Sequence, residues 1–401
     1  MGDIKSSINF FIVVIKNLKL KVLHVLNSLG FGGTEIWLLE IVKLNQNRLQ
    51  FDFLLTSGEE STLDQEFKKY GCNLIYLKYS KDSIFSFIFG INKLVKNNGY
   101  SVIHNHEDFI SGWHWLFLLP NRKQKRISHA HNSLIYVENY SNSLRRKLSY
   151  RIGKVLVGVF ASFITGTSND LLNQLGYDKR LYSRKRIEPL YCGVNSELFR
   201  FDINQRSQIR NKFKFEEDEK IVVFVGRIDC PRQTDVNHKN PIFALDIAKR
   251  ITQTNKKIKF LFVGEKGEVG NKEEENIREQ GLDNQIVFLG KRTDVNLIMN
   301  GADIFLLTSI LEPFGLVLIE AQLCGLKIIS SNIITKELIE CDEQFKLLDL
   351  NEPEVWVNTL NAELWNTQMR EDFIDHNSEK LRRSKFSIEV SYQRLINYYS
   401  M

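Results

Sequence analysis

The chain has 401 residues, of which 43% are hydrophobic and 25% charged, and a formal net charge of +6. The length makes two domains the default and the composition is that of an ordinary globular protein, while so mild a charge suits an acidic ligand or an anionic membrane surface and is too weak to argue for nucleic acid. The five cysteines, Cys72, Cys192, Cys230, Cys324 and Cys341, are scattered with no CxxC pair, which indicates neither a zinc site nor a disulfide framework and fits reduced, cytosolic thiols.

Residues 1–20 hold one apolar run, Phe10 to Ile15, flanked by Lys5, Lys16 and Lys19. The run is shorter than the roughly 20 apolar residues a membrane span needs, and no small-residue cleavage site follows it. An interfacial anchor and a helix packed on the protein both remain open. Lys21–Leu26 reads as a first buried strand, followed by the glycine loop Gly30-Phe31-Gly32-Gly33 and a helical pattern from Thr34. Strand, glycine loop and helix open a Rossmann-like half, although the full GxGxxG spacing is missing. Gly32 and Gly33 either admit a ligand to the helix N-terminus or simply make a tight turn. Further strands are expected at 51–55, 73–77, 101–104 and 126–130. Their alternation with helical segments implies an α/β chain with parallel sheets, whose ligands sit beyond the carboxyl ends of the strands.

Two of these strands end in histidines, Val102-Ile103-His104-Asn105-His106 and Ser128-His129-Ala130-His131-Asn132. Imidazoles there can serve as acid–base groups, sugar donors or metal ligands, and metal is the weakest option because no carboxylate or cysteine cluster completes a set. For most of them a hydrogen-bonded core role is the better reading. His131 is the exception, being the first residue past its strand. Residues 143–160 are amphipathic and basic, with Arg145, Arg146, Lys147, Arg151 and Lys154 among Leu144, Leu148, Val155 and Leu156, and Asp178 to Arg186 adds a second basic group. A membrane-facing patch and a solvated helix face are both open.

The polar, strand-free stretch 196–216 reads as a linker. Lys220–Val225 is a buried strand followed by Gly226-Arg227, and Lys239-Asn240-Pro241 opens the next helix. An Arg and a Lys around a loop-to-helix junction suit a diphosphate, the guanidinium binding in two-pronged fashion and the ammonium as a compact charge. The insertion 230–238 between them is long and polar. Strands are expected at 258–263, 285–291 and 303–307. The last delivers Leu311-Glu312-Pro313-Phe314-Gly315-Leu316-Val317-Leu318-Ile319-Glu320. Here Pro313 fixes φ, Gly315 permits close backbone approach, and the first amides of the helix make an anion seat. Seven residues separate Glu312 from Glu320, which stands in an apolar helix where a carboxylate needs partners. Sugar and ribose hydroxyls would supply them, as would a salt bridge. The tail, 388–399, is an amphipathic helix.

The Glu-Pro-Phe-Gly element with its spaced carboxylates resembles the retaining glycosyltransferases of family 4. Gly32-Gly33-Thr34-Glu35, Phe51-Asp52-Phe53-Leu54 and Ser128-His129-Ala130-His131-Asn132 are similar to its exopolysaccharide and capsule-synthesis branch. The resemblance implies a GT-B fold, two Rossmann-like parallel-sheet domains facing a central cleft. The expected order is an N-terminal extension at 1–20, an acceptor-side domain at 21–195, a linker at 196–216, a nucleotide-sugar-binding domain at 217–380 and a returning helix at 381–401. It implies that Arg227 and Lys239 grip the diphosphate of the donor, helped by the amides of Phe314, Gly315 and Leu316. Backbone groups at Lys291 would meet the nucleobase, Glu320 the ribose and Glu312 the donor sugar. His131, or His129 if the register differs by two, would stand near the transferred sugar, with Gly32 and Gly33 lining the donor. No metal or cofactor is expected, the nucleotide diphosphate-sugar being a substrate.

The expected activity is transfer of a sugar, from a UDP-sugar, to a glycan or lipid-linked glycan in surface polysaccharide synthesis. The expected location is the cytoplasm, with peripheral contact at the inner face of the cell membrane an open addition. A nucleotide-sugar epimerase on the same fold and a non-catalytic nucleotide-sugar-binding scaffold are the alternatives. Tyr191-Cys192-Gly193-Val194-Asn195 and Gly264-Glu265-Lys266-Gly267 depart from the family's pattern.

Overall fold

The alternating apolar runs fold into two all-parallel sheets in a computed structural model that describes residues 20–46, 48–119, 124–132, 144–177, 182, 185–229 and 237–400. Contacts divide the chain into one unit of residues 1–192 with 392–401 and a second of residues 193–391. All but the last residue of the expected extension at 1–20, most of the insertion after Asp229 and most of the second basic group lie outside the described residues.

The first unit carries β1 (Lys21–Leu26), β2 (Gln50–Leu55), β3 (Asn73–Tyr76), β4 (Val102–Asn105), β5 (Lys125–Ala130), β6 (Phe163–Gly166) and β7 (Arg186–Pro189). Their order is β3-β2-β1-β4-β5-β6-β7. The connecting helices are α1 (Gly33–Leu44), α2 (Asp64–Lys69), α3 (Ile84–Asn98), α4 (Ile110–Phe117), α5 (Leu144–Phe160) and α6 (Asn169–Gln174). Central strands are buried on both faces because helices cover both, which is why β1 and β2 read as largely apolar runs, while β5 buries the polar Arg126, Ser128 and His129. α4 and α5 cross closely at Gly112 and Gly153. A Cβ on Gly112 would lie 2.0 Å from the Gly153 carbonyl oxygen, so no larger residue fits.

The second unit carries α7 (Ile203–Lys212), β8 (Lys220–Val225), α8 (Pro241–Thr254), β9 (Ile258–Val263), α9 (Glu268–Glu279), β10 (Ile286–Gly290), α10 (Val295–Gly301) and β11 (Ile304–Leu307). After these come α11 (Leu316–Leu323), β12 (Lys327–Ser331), β13 (Phe345–Leu348), α12 (Pro353–Ala362) and α13 (Thr367–Arg382). The order β10-β9-β8-β11-β12-β13 repeats, strand for strand, the first six positions of the first sheet. Each unit has its own apolar core. In the second, Val222, Phe224, Phe260, Phe262, Leu306 and Trp356 are almost completely buried, each contributing about 1.5–3 kcal/mol by leaving water.

The stretch 196–216 is not a plain linker. Asp202 caps α7 by accepting from the amides of Asn204 (2.8 Å) and Gln205 (3.2 Å). The helix turns Arg206, Ile209 and Arg210 inward. Arg206 donates to Asp303 Oδ1 at 2.6 Å, while Asp303 Oδ2 accepts from the Ile221 amide at 2.8 Å. Arg370 is buried beside them and donates to the carbonyls of Cys324, Asn300, Ala302 and Met299. A buried face made largely of arginines carries no apolar periodicity, so the sequence pattern concealed it.

The final helix, α14 (Ile388–Ser400), begins in the second unit, and its residues from Tyr392 onward belong to the first. Tyr392 donates to Asn45 Oδ1 at 3.2 Å and Tyr398 to the Pro189 carbonyl at 3.1 Å. The Lys125 ammonium donates to the carbonyls of Tyr398 and Tyr399 at the helix end, satisfying acceptors that a helix C-terminus leaves open.

Candidate functional site

In both sheets the strand order reverses between the first strand and the fourth, which is where open α/β sheets bind ligands. In the second unit that point lies between β8 and β11. The loop after β8 brings Gly226 and Arg227, and the chain returns at Asn237 to Asn240. The loop after β11 is pinned against that return. Thr308 donates to the carbonyls of Lys239 (3.1 Å) and Asn240 (2.9 Å), and the Ile310 amide donates to the His238 carbonyl at 2.8 Å.

The Lys239 ammonium donates to Glu312 Oε2, which also accepts from Ser309 Oγ at 3.2 Å. Glu312 is nearly buried and Lys239 is a quarter exposed. Gly315 sits at the N-cap of α11 with φ +78°, a left-handed conformation that places the first helical amides outward at low cost. One turn inside the helix, burial pushes the Glu320 carboxyl up to about 7, against the opposing pull of Lys239. Among the described residues no side chain donates a hydrogen bond to Glu320. Phe314 is buried against Phe386. Arg227 is exposed. Lys291 is exposed as well and follows Gly290, itself left-handed at φ +66°.

The two glycines of Gly264–Gly267 are sterically required. Gly264 stands at φ +153° where a Cβ would lie 1.9 Å from the Gly226 carbonyl oxygen, and a Cβ on Gly267 would strike the Asp229 carboxylate. The loops after β8 and β9 touch through backbone there, and the Ile228 amide donates to the Glu265 carbonyl at 2.8 Å. The second unit therefore brings Lys239, Glu312, Phe314, Gly315, Leu316 and Glu320 together on two facing loops and a helix start. Arg227 leaves the same loop set. Lys291 stands at the end of β10, two strands from β8.

In the first unit the reversal lies between β1 and β4. Gly32 is the N-cap of α1, and a Cβ there would lie 2.3 Å from Glu35 Oε2, whose side chain folds back over the loop. His131 Nδ1 lies 3.1 Å from Thr34 Oγ1, and its Nε2 lies 3.0 Å from His106 Nδ1. Both ring nitrogens are thus engaged, and burial pushes the imidazole down to about 3. His129 is wholly buried, which leaves His131 as the histidine at the loop end. Asp108, left-handed at φ +43°, holds that loop end: its carboxylate accepts from the amides of His131 (2.7 Å) and Asn132 (3.1 Å) and from Asn132 Nδ2 (2.8 Å).

Asp108, Thr34, His106 and His24 were not among the expected site residues. The run His104-Asn105-His106-Glu107-Asp108 was the available signal. Only the register of three strands shows what it serves.

Residues 205–380 match the family described as "Glycosyl transferases group 1". The chain carries a group 1 glycosyltransferase domain. The match begins within α7, so the helix hidden in the expected linker is part of that domain. Over 386 residues the chain is 29% identical to the capsular polysaccharide biosynthesis glycosyltransferase CapH of Staphylococcus aureus, covering 95% of this chain and 98% of CapH. It is 24% identical to the Escherichia coli UDP-Gal:alpha-D-GlcNAc-diphosphoundecaprenol alpha-1,3-galactosyltransferase, covering 85% of this chain and 87% of that enzyme. Among solved structures, Anabaena HepE in complex with UDP and glucose superposes with a TM-score of 0.76 at 17% identity, covering 95% of this chain and 99% of HepE. That likeness establishes the fold. The α/β GT-B architecture expected from sequence is the one this chain has.

Proposed function

We propose that the protein transfers a sugar, with retention of configuration, from a UDP-sugar to a hydroxyl of a glycan or lipid-linked glycan in capsule or exopolysaccharide synthesis. The observation that carries this reading is the Lys239–Glu312 pair set beside Glu320 at the reversal point of the second sheet. Lys239, Arg227 and the amides at Phe314, Gly315 and Leu316 would neutralise the departing diphosphate, a role that metal ions fill in other transferases. Glu320, lacking a side-chain donor of its own among the described residues, is suited to ribose hydroxyls. Glu312, already oriented by Lys239 and Ser309, is suited to the donor sugar, and Lys291 offers backbone groups to the base. In the first unit, Gly32 and Gly33 would line the donor once the Glu35 side chain moves off the start of α1, and His131 would hydrogen-bond the transferred sugar by giving up its Thr34 contact. The names of CapH and of the Escherichia coli galactosyltransferase support the polysaccharide and lipid-linked parts of the reading, and UDP bound to HepE supports the base.

The protein is expected to work in the cytoplasm at the membrane face. α5 supports this: Leu144, Leu148, Val155 and Val159 are each more than half exposed along one stripe, with Arg145, Arg146, Lys147, Arg151 and Lys154 on the same helix. No described helix is long and apolar enough to cross a membrane.

A second reading, a nucleotide-sugar-binding scaffold, draws on His131, both of whose ring nitrogens are already taken. Incubation with a UDP-sugar and a lipid-diphosphate glycan, followed by NMR of the product's anomeric centre, separates the readings. A glycoside with the donor's configuration is expected. Inverted product removes retention, free sugar alone indicates the epimerase, and intact donor that binds without turnover indicates the scaffold.

A further inference from the structure

The first sheet gathers five histidines on one face. The register sets His24 of β1 opposite His104 of β4, and His104 opposite Ile127 of β5. Side chains two residues apart share a face, so His106, His129 and His131 follow on the same side. Ring centroids lie 4.2 Å apart for His104 and His106, 4.0 Å for His129 and His131, and 5.3 Å for His106 and His131. The four besides His131 are fully or almost fully buried.

Within this group the nitrogens of His106, His129 and His131 approach one another to within 4.8 Å. Three features separate this trio from an ordinary polar core. Among the described residues neither ring nitrogen of the buried His129 has a hydrogen-bond partner, and a buried orphan of this kind costs about 1–3 kcal/mol unless a water or ion meets it. His106 Nδ1 and His131 Nε2 stand 3.0 Å apart, close to the separation of two nitrogens bound to one tetrahedral ion at roughly 2.0–2.1 Å each. The opposite nitrogens of these two rings are already oriented, His106 Nε2 by His24 Nδ1 at 3.0 Å and His131 Nδ1 by Thr34 Oγ1 at 3.1 Å. Ligating histidines are held in just this way, through the nitrogen that does not bind metal.

We propose that His106, His129 and His131 form a three-histidine site for one divalent cation of the zinc or cobalt(II) class. Neutral imidazoles select borderline metals over magnesium or calcium, which need oxygen ligands. The carboxylate of Asp108, which accepts from the His131 amide, is a built-in countercharge beside the trio. A metal on His131 Nε2 would leave Nδ1 protonated and donating to Thr34, fixing the tautomer of the ring. This site is separate from the lysine and arginine proposed for the diphosphate, and its existence does not depend on transfer activity.

The test uses the full chain without a histidine tag, stripped with chelator and titrated with Co2+. The expected result is the visible ligand-field absorption of a four-coordinate ion saturating at one equivalent, and one zinc per chain retained through gel filtration. His129→Gln and His106→Gln should each weaken binding by more than the roughly 10–100-fold typical of a lost outer partner, while His376→Gln, on exposed α13, should not. Should either cluster variant fail to fold by circular dichroism, the thermal shift of the unsubstituted chain with Zn2+ decides: a rise supports the site. No absorption, no retained zinc and no shift would overturn it, as would full binding by folded His129→Gln. The rings would then be a chain of neutral imidazoles bonded to one another.

Discussion

The two sheets share a strand order and place their reversal points at equivalent strands, yet they furnish them with opposite chemistry. Beyond β1 and β4 stand neutral imidazoles, kept uncharged by burial. Beyond β8 and β11 stand an ammonium, a guanidinium and two carboxylates. The topology fixes where a ligand can sit, and the residues just past the strand ends decide what it can be. A set of neutral donors suits hydroxyl groups or a borderline metal, whereas fixed positive charge suits a diphosphate. One fold repeated twice in a chain thus yields two sites that need not resemble each other.

Removing charge from the second unit should break that contrast most sharply. Glu320→Ala and Arg227→Ala are each expected to lower sugar transfer by at least roughly 10²–10³-fold, the scale of losing one preorganised electrostatic partner, with the fold intact by circular dichroism. Near-normal turnover in either would remove the site assignment. A stability effect of comparable weight is expected at the arginine-lined helix. Asp303→Ala leaves Arg206 and Arg210 buried without their carboxylate and should cost about 3–5 kcal/mol in urea denaturation. A loss under 1 kcal/mol would mean that α7 is held by something else.

The pH dependence of nucleotide binding sharpens the comparison further. Glu320 has a folded pKa raised to about 7 by burial, and ribose hydroxyls donate best to its ionised form. Protons therefore compete with nucleotide. Affinity for UDP should be level above that value and fall by up to about tenfold per pH unit below it. In the free protein the sign is reversed: the raised pKa favours folding below the ordinary carboxylate range, and that stabilisation is lost as pH rises through about 7. Calorimetry from pH 5.5 to 8.5 on the native chain and Glu320→Gln would show a flat profile in both if the carboxylate does not meet the ligand. The smallest effect concerns the first unit. Tyr399→Phe removes a hydroxyl that lies 2.7 Å from His104 Nδ1 and should cost about 1 kcal/mol by thermal unfolding, without changing UDP affinity. A change in that affinity would show that the two sites are not independent.

How far the sequence could be read depended on how each feature is encoded. The long strands announced themselves: Lys220–Val225 and Ile258–Val263 are found with the expected bounds, and the Glu312–Glu320 element lies after β11 as its Pro-Phe-Gly turn required. Short strands such as Phe163–Gly166 and Lys327–Ser331 were missed, since four or five residues carry too little pattern to stand out from neighbouring helices. α7 escaped because arginines, not aliphatics, form its inner face. The pairing of Lys239 with Glu312 spans 73 positions, and the histidine cluster draws on three strands, from His24 to His131. Both follow from strand order and register, which no local motif carries. Taken singly, every one of these histidines except His131 looks like a core residue.

The central claim is that the second unit holds a nucleotide diphosphate through side chains and amides alone. Thermal unfolding of the purified chain with UDP, in EDTA and in magnesium, tests it without any acceptor. The account predicts that UDP at about 100 times its dissociation constant stabilises the protein by about 2.7 kcal/mol, equally in both buffers, and that Glu320→Ala abolishes the shift. A shift that appears only with magnesium, or one that survives Glu320→Ala unchanged, would contradict it.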